Sequence, residues 1–432
     1  MQTIIKKKLY SLILIISFFL IELSLRINSY KIPAFIIWLN IRKIKSIKYK
    51  SKNSKKVLVF PKIGGYEDLI ESYRVQNKNN IAFFILPRLF LIKIFSHYFM
   101  NINKKDYFTK PANSYELYQK KLYINYLTNI FSILDKFIKL DGFISFNIFY
   151  RSEKYLEEVF NNLNKKYIIL HKESAFTPIE EINSIKVYKK YNSESLANKI
   201  SVYSENQKKI LIKSKIGKDN QIHVNGCPRS DYAFRLRKIK PKKNIIIYYM
   251  IEKNRGSNLI LKRSNINWKK LYDQTLKYLI NFAKKNQKIK IIFKGKIGIH
   301  TEKNFNVNIL PKNCSFIVGG SGEKFLRDAS VVIAFNSMAI FETIAGNRNL
   351  IIPNFNRESI KKKNMLLKLS NQNYLVNTKK QFNKKLNFYL NSKYENSNLS
   401  RSDRKILKYY LGSIDGKSGK KVQIFLNKAF NQ

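Results

Sequence analysis

The stretch Ala329-Ser330-Val331-Val332-Ile333-Ala334-Phe335-Asn336-Ser337-Met338-Ala339-Ile340-Phe341-Glu342-Thr343-Ile344-Ala345-Gly346 decides how the chain is read. Val331 to Phe335 is a short apolar run, the form of a strand buried on both faces of a parallel sheet. Asn336 and Ser337, both good N-cap residues, follow it. Met338, Phe341, Glu342 and Ala345 recur at helical spacing, and Gly346 is placed to end the helix. A second apolar run over 350–353 completes a strand, turn, helix, strand sequence, one βαβ unit. A helix starting at the carboxyl end of a parallel strand aims amides and a partial positive charge into the crevice above the sheet. In that setting Ser337 offers a hydroxyl to a phosphate, and Glu342, one turn on, offers a carboxylate to ribose hydroxyls. The plainer alternative makes Ser337 a cap and Glu342 a solvated helix residue.

Working outward, the same alternation fills the chain. Strands are expected over 57–60, 81–86, 143–147, 167–170, 200–203 and 222–225, with helices over 88–138, 151–164 and 206–214. Gly64-Gly65 opens a helix after the first of these strands, without the full glycine fingerprint of dinucleotide sites. A basic, aperiodic segment with Pro241 at 235–243 reads as a linker. Alternation then restarts with strands at 244–250, 288–293 and 315–318 and helices at 266–285 and 322–329, before the 331–353 unit. The expected fold is α/β with two Rossmann-like domains, 57–235 and 244–400, followed by helices within 401–432.

Residues 1–50 are expected to stand apart. Lys6 to Lys8 precede an apolar segment, 9–25, interrupted only by Glu22, and a second apolar run covers 32–41. The first is slightly short of the ~20 residues that cross a bilayer. No small-residue cleavage site follows, which argues against a removed signal peptide. Arg26, Lys31, Arg42, Lys43, Lys45, Lys48 and Lys50 lie beyond it and would keep the main body on the cytoplasmic face of an inner membrane. An interfacial attachment fits equally, as does a helical hairpin packed on the protein itself.

The formal charge is +54 over 432 residues. Lys, Asn and Ile are heavily used, so coding bias contributes. The lysines are spread along the chain and form no aromatic-interleaved basic stripe, so no specific nucleic-acid partner is expected. Such a charge favours anionic membrane surfaces and phosphorylated ligands. Two cysteines and four scattered histidines provide neither a disulfide framework nor metal-ligand spacing; no metal is expected, and a reducing compartment fits.

Four pieces occur in order: Ile168-Ile169-Leu170-His171-Lys172-Glu173-Ser174, Val224-Asn225-Gly226-Cys227-Pro228-Arg229-Ser230-Asp231, Ile333-Ala334-Phe335-Asn336-Ser337 with Glu342, and Asp415-Gly416-Lys417. Over about 57–425 the chain resembles the bacterial surface carbohydrate (surface polysaccharide) biosynthesis proteins, a GT-B-like glycosyltransferase group. It is more distantly similar to teichoic-acid glycerophosphotransferases and Kdo transferases. The resemblance implies a nucleotide-sugar donor on the second domain, a glycan or lipid-linked acceptor on the first, and no bound cofactor. It places Asn336, Ser337 and Met338, with the 337–339 amides, at the donor diphosphate and Glu342 at the ribose. Lys294 would be a further phosphate contact. From its own place after Gly226, Arg229 is a candidate donor contact with Asp231 as its ion-pair partner, against the plainer reading of a Pro-Arg turn. The loop after Lys294 lacks the histidine and proline of the pattern, which leaves the donor class open. For an inverting transfer Glu173 and His171 are the candidate bases, against the alternative of an edge histidine beside a solvated Lys172–Glu173 pair. Other readings of the same chain are a sugar-nucleotide 2-epimerase-like enzyme, a polyol-phosphate transferase, and a non-catalytic polyanion-binding module.

Overall fold

A computed structural model describes residues 2–47, 54–61, 64–74, 79–99, 109–172, 175–253, 266–300, 305–355, 365–366, 372–395 and 397–431, with side chains described from residue 12 on. The chain is a mixed α/β protein with two largely parallel sheets. The first contains β1 (Arg42–Lys43), β2 (Lys55–Val59), β3 (Ile81–Ile85), β4 (Gly142–Ser145), β5 (Lys166–Leu170), β6 (Lys199–Val202) and β7 (Ile222–Val224). Their order is β1-β3-β2-β4-β5-β6-β7; β1 runs antiparallel to β3 and the other pairs are parallel. The second contains β8 (Ile245–Tyr249), β9 (Lys290–Gly295), β10 (Cys314–Val318), β11 (Val331–Ile333), β12 (Asn349–Pro353) and β13 (Leu375–Val376). All its strands are parallel, in the order β10-β9-β8-β11-β12-β13.

These orders locate the sites. In each sheet the chain builds outward on one side, then returns to build on the other, so neighbouring strands diverge into loops on opposite faces. Ligands bind in the crevice beyond the carboxyl ends of the strands at that reversal. The reversal falls between β2 and β4 in the first sheet and between β8 and β11 in the second. The strands at both are apolar on both faces: Val57, Leu58 and Val59 of β2, and Val331, Val332 and Ile333 of β11, are fully buried.

The terminal segments are structural parts of this frame. Helix Gln2–Arg26 and helix Lys31–Asn40 contribute Ile21, Leu25, Ala34 and Ile37 to the first core, while Ile44 and Ile47 join the core on the sheet's other face. Residues 21–47 are thus packed into the first domain's cores. Among the described residues no helix is long and apolar enough to cross a membrane. At the other end, helix Arg401–Leu411 packs on the second core, with Phe341 stacked on Tyr410 at 4.3 Å. Helix Ser418–Asn431 returns to the first sheet through Val422, Leu426 and Phe430. The segment after β7 is likewise shared: Cys227, Tyr232, Ala233 and Leu236 belong to the second core.

Candidate functional site

The second reversal carries the organising stretch. Asn336 adopts a left-handed backbone (φ 44°), a conformation Asn tolerates better than other residues with a Cβ. Its buried Oδ1 accepts the Leu366 N–H at 3.0 Å, tying the turn to a distant loop. The helix consequently begins at Ala339, two residues later than a cap at Asn336 implies and one later than a cap at Ser337. Ser337 Oγ accepts the Ala339 N–H at 3.3 Å, so that amide is engaged within the turn; the expectation that 337–339 amides face a phosphate reduces to those of Ser337 and Met338. Both of these residues are partly exposed at the mouth of the turn.

Glu342 lies one turn into this helix and accepts the Tyr232 hydroxyl on Oε2 at 2.9 Å. Burial pushes its carboxyl above the usual range, opposed by the Tyr232 hydrogen bond and the Arg229 charge. Tyr232 is pressed in turn against Gly322, where an added Cβ would sit 2.6 Å from its hydroxyl. Lys294 lies at the end of β9 itself, with Nζ 5.2 Å above the Phe325 ring. Burial lowers its ammonium pKa, and the Glu67 carboxylate partly restores it.

The first reversal faces this wall. Helix Gly65–Ser72 follows β2 after a turn in which Gly64 has φ +86°; a Cβ there would meet Arg229 Nη1 at 2.1 Å. One at Gly65 would meet the Phe146 ring at 2.2 Å. Glycine is required at both because the Arg229 guanidinium and the loop after β4 lie against the backbone. Asp68 is buried and takes the Arg229 N–H on Oδ1 at 3.0 Å. It also accepts the Tyr203 hydroxyl and lies 4.0 Å from Arg229 Nε. Burial raises the Asp68 carboxyl pKa, with Arg229 and the Tyr203 hydrogen bond pulling it back. The guanidinium is 5.7 Å above the Tyr203 ring, and Nη2 donates to the Lys172 carbonyl at 3.4 Å.

Arg229 is therefore held by Asp68; the expected partner, Asp231, does something else. It accepts the Ser418 and Gly419 N–H groups at 3.2 and 2.7 Å, docking the start of the last helix. Glu67 is exposed in the first turn of helix Gly65–Ser72, and its charge acts on both Lys294 and Glu342 across the cleft. Arg74 bridges the domains to Glu323 at 3.0 Å. These interactions bring Glu67, Arg229, Lys294 and Glu342 together, and Ser337 and Met338 form the turn that leads into the Glu342 helix.

His171 extends β5, its N–H bonded to the Ser201 carbonyl at 2.9 Å, and its ring is buried with an edge contact to Phe149 at 5.3 Å. Glu173 lies outside the described residues. Among the described residues no group of three or more His, Cys, Asp or Glu is placed to hold a metal ion. A depression of about 540 Å³ lies at the opposite, amino ends of β2, β4 and β5. Its two carboxylates are each ion-paired, Asp141 with Lys55 and Asp135 with Lys165, both at 2.9 Å. Sequence reasoning missed Glu67, Asp68, Tyr203 and Tyr232; the only local signal was the Gly64-Gly65 doublet before Glu67-Asp68.

No family model matches the chain, and no curated protein matches it. Solved structures with a similar course of the chain include a UDP-GlcNAc 2-epimerase from Neisseria meningitidis bound to UDP-GlcNAc, 11% identical, with 87% of this chain and 100% of that one covered and a TM-score of 0.47. The wall teichoic acid polymerase TagF aligns at 12% identity over 95% and 96% of the two chains, with a TM-score of 0.45. Sucrose-phosphate synthase from Thermosynechococcus elongatus aligns at 8% identity over 87% and 100%, also with a TM-score of 0.45.

Proposed function

We propose that the protein is a GT-B glycosyltransferase that moves a sugar from a nucleotide-sugar donor to a surface polysaccharide or lipid-linked acceptor. The observation that carries this reading is the apposition of the two reversal points, with a basic and an acidic group on opposing walls. The donor occupies the β8/β11 crevice: the turn at Ser337 and Met338 takes the diphosphate, and Glu342 exchanges its Tyr232 hydrogen bond for ribose hydroxyls. Arg229 and Lys294 border that position and neutralise charge developing on the departing diphosphate. The acceptor enters along the first domain, where Glu67 takes the proton from its hydroxyl. The acceptor oxygen then bonds to the anomeric carbon as the bond to the diphosphate breaks, and a nucleoside diphosphate leaves. Glu173, three residues after β5 in sequence, is the second candidate for the proton acceptor.

The test is product analysis of the full chain with individual nucleotide-sugars, with and without a membrane or glycan extract as acceptor. The transferase reading expects release of nucleoside diphosphate that depends on acceptor. Acceptor-independent interconversion of the sugar would assign an epimerase instead, and, with a nucleoside-diphosphate polyol added to the panel, acceptor-dependent release of the nucleoside monophosphate from it would assign a polyol-phosphate transferase.

A further inference from the structure

The two N-terminal helices present a surface that a water-facing helix pair does not normally have. The inner face of helix Gln2–Arg26 is packed: Ser17, Ile21, Ser24 and Leu25 are buried. Ser24 Oγ bonds the Ile21 carbonyl at 2.7 Å, Glu22 pairs with Lys93 at 2.6 Å, and Tyr126 donates to the Ser29 carbonyl at 2.9 Å. The face opposite should then be polar. It is apolar: Ile15 and Phe19 are 65% and 67% exposed, and Leu23 continues the row one turn on. The next helix prolongs this surface through an exposed aromatic ladder, Phe35–Trp38–Phe137, with both ring-to-ring distances 5.7 Å. Surfaces this apolar on a soluble protein mark contact sites.

The rim identifies the occupant. Arg26 and Lys31 sit at the turn between the helices, Arg42, Lys43 and Lys45 follow the second, and Lys136 and Lys139 flank Phe137; all are exposed. The one acid in the first helix, Glu22, is already paired with Lys93 and Arg26. An apolar face bordered by exposed cations that outnumber the acids beside them, with aromatics at its margin, matches the interfacial region of an anionic bilayer. A second copy of this chain would bring like charges together around the same patch.

We propose that this hairpin is a monotopic membrane-docking surface. It lies in the plane of an anionic leaflet with Phe35, Trp38 and Phe137 in the headgroup–acyl boundary, and its inner face stays folded on the first domain. The Glu22–Lys93 ion pair, the Tyr126–Ser29 hydrogen bond and the burial of Ile21 and Leu25 hold it on the domain rather than across the bilayer. The proposal stands on the hairpin alone and is independent of the transferase reading.

The chain has two tryptophans, Trp38 and Trp268, and Trp268 is buried, so Trp268→Phe leaves Trp38 as the reporter. Vesicles of phosphatidylcholine with phosphatidylglycerol should shift its emission to the blue, far more than phosphatidylcholine alone, and high salt should reduce the shift. Quenching should be strongest with labels high on the acyl chain, and alkaline carbonate should release the protein. Phe35→Ser/Trp38→Ser/Phe137→Ser in the full chain should float with vesicles at least about tenfold less. Strongest quenching from the bilayer centre with resistance to carbonate would overturn the proposal in favour of a span. Unshifted emission together with a lipid-free dimer that the triple variant abolishes would overturn it in favour of self-association.

Discussion

The two walls of the cleft are built in different ways. The second-domain wall centres on one contiguous stretch, in which β11, the Asn336–Met338 turn and helix Ala339–Ala345 follow one another, with Tyr232, Leu366 and Lys294 added from outside it. The first-domain wall is assembled from Gly64 to Asp68, Tyr203 and Arg229, brought together only by folding. A turn that presents backbone and one hydroxyl can be encoded locally. A guanidinium held at a buried interface needs partners from several strands, because an unpaired charge there is expensive. The local wall suits binding a shared chemical group, and the assembled wall suits positioning charge where bonds change.

The largest effect is expected on the assembled wall. Arg229→Ala leaves Asp68 buried with Tyr203 as its remaining side-chain partner and should cost about 3–5 kcal/mol of stability, measured by denaturant unfolding, as well as transfer activity. Adding Asp68→Asn should recover most of the stability and none of the activity. Independent, additive losses in the double-mutant cycle would show that the two groups do not act as a unit.

A smaller and more selective effect is expected at Glu67. It is exposed, so Glu67→Gln should change stability by no more than about 0.5 kcal/mol. Turnover should fall by roughly 10²–10⁴ with donor affinity retained. A fully active Glu67→Gln enzyme would move the proton acceptor to Glu173 and leave Glu67 as a surface charge.

The same contrast explains what was legible beforehand. The β11–β12 unit and the α/β alternation could be read because burial on both faces leaves apolar runs of strand length. The helix start was misplaced because Asn, a good cap, is also the residue that best tolerates the left-handed turn found at Asn336. Helix Pro178–Tyr191 went unread although Thr177 and Glu180 form a capping box. Its buried face includes Glu180, Asn183 and Ser184, which erases the apolar periodicity that signals a helix. The Asp68–Arg229 contact is tertiary, and no spacing in the chain points to it; Asp231, two residues from Arg229, was the nearer guess and serves the last helix instead. The N-terminal helices are apolar nearly all round, so only the fold shows which face is covered.

The most direct test of the central claim, that the β8/β11 crevice is the donor site, is a thermal-shift panel at moderate salt with UDP, CDP, GDP, CMP and their sugar conjugates. It should be run on the native chain and on Ser337→Ala/Glu342→Ala. A nucleotide at 100 times its Kd should stabilise the fold by ~2.7 kcal/mol. The account expects a shift selective for one base and largely lost in the double variant. Because burial raises the Glu342 pKa and the ionised carboxylate is the form that accepts ribose hydroxyls, the shift should grow as pH rises through that group's titration. Equal shifts with every polyanion, fading with salt and unchanged in the variant, would contradict the account and leave only a charge-driven binding module.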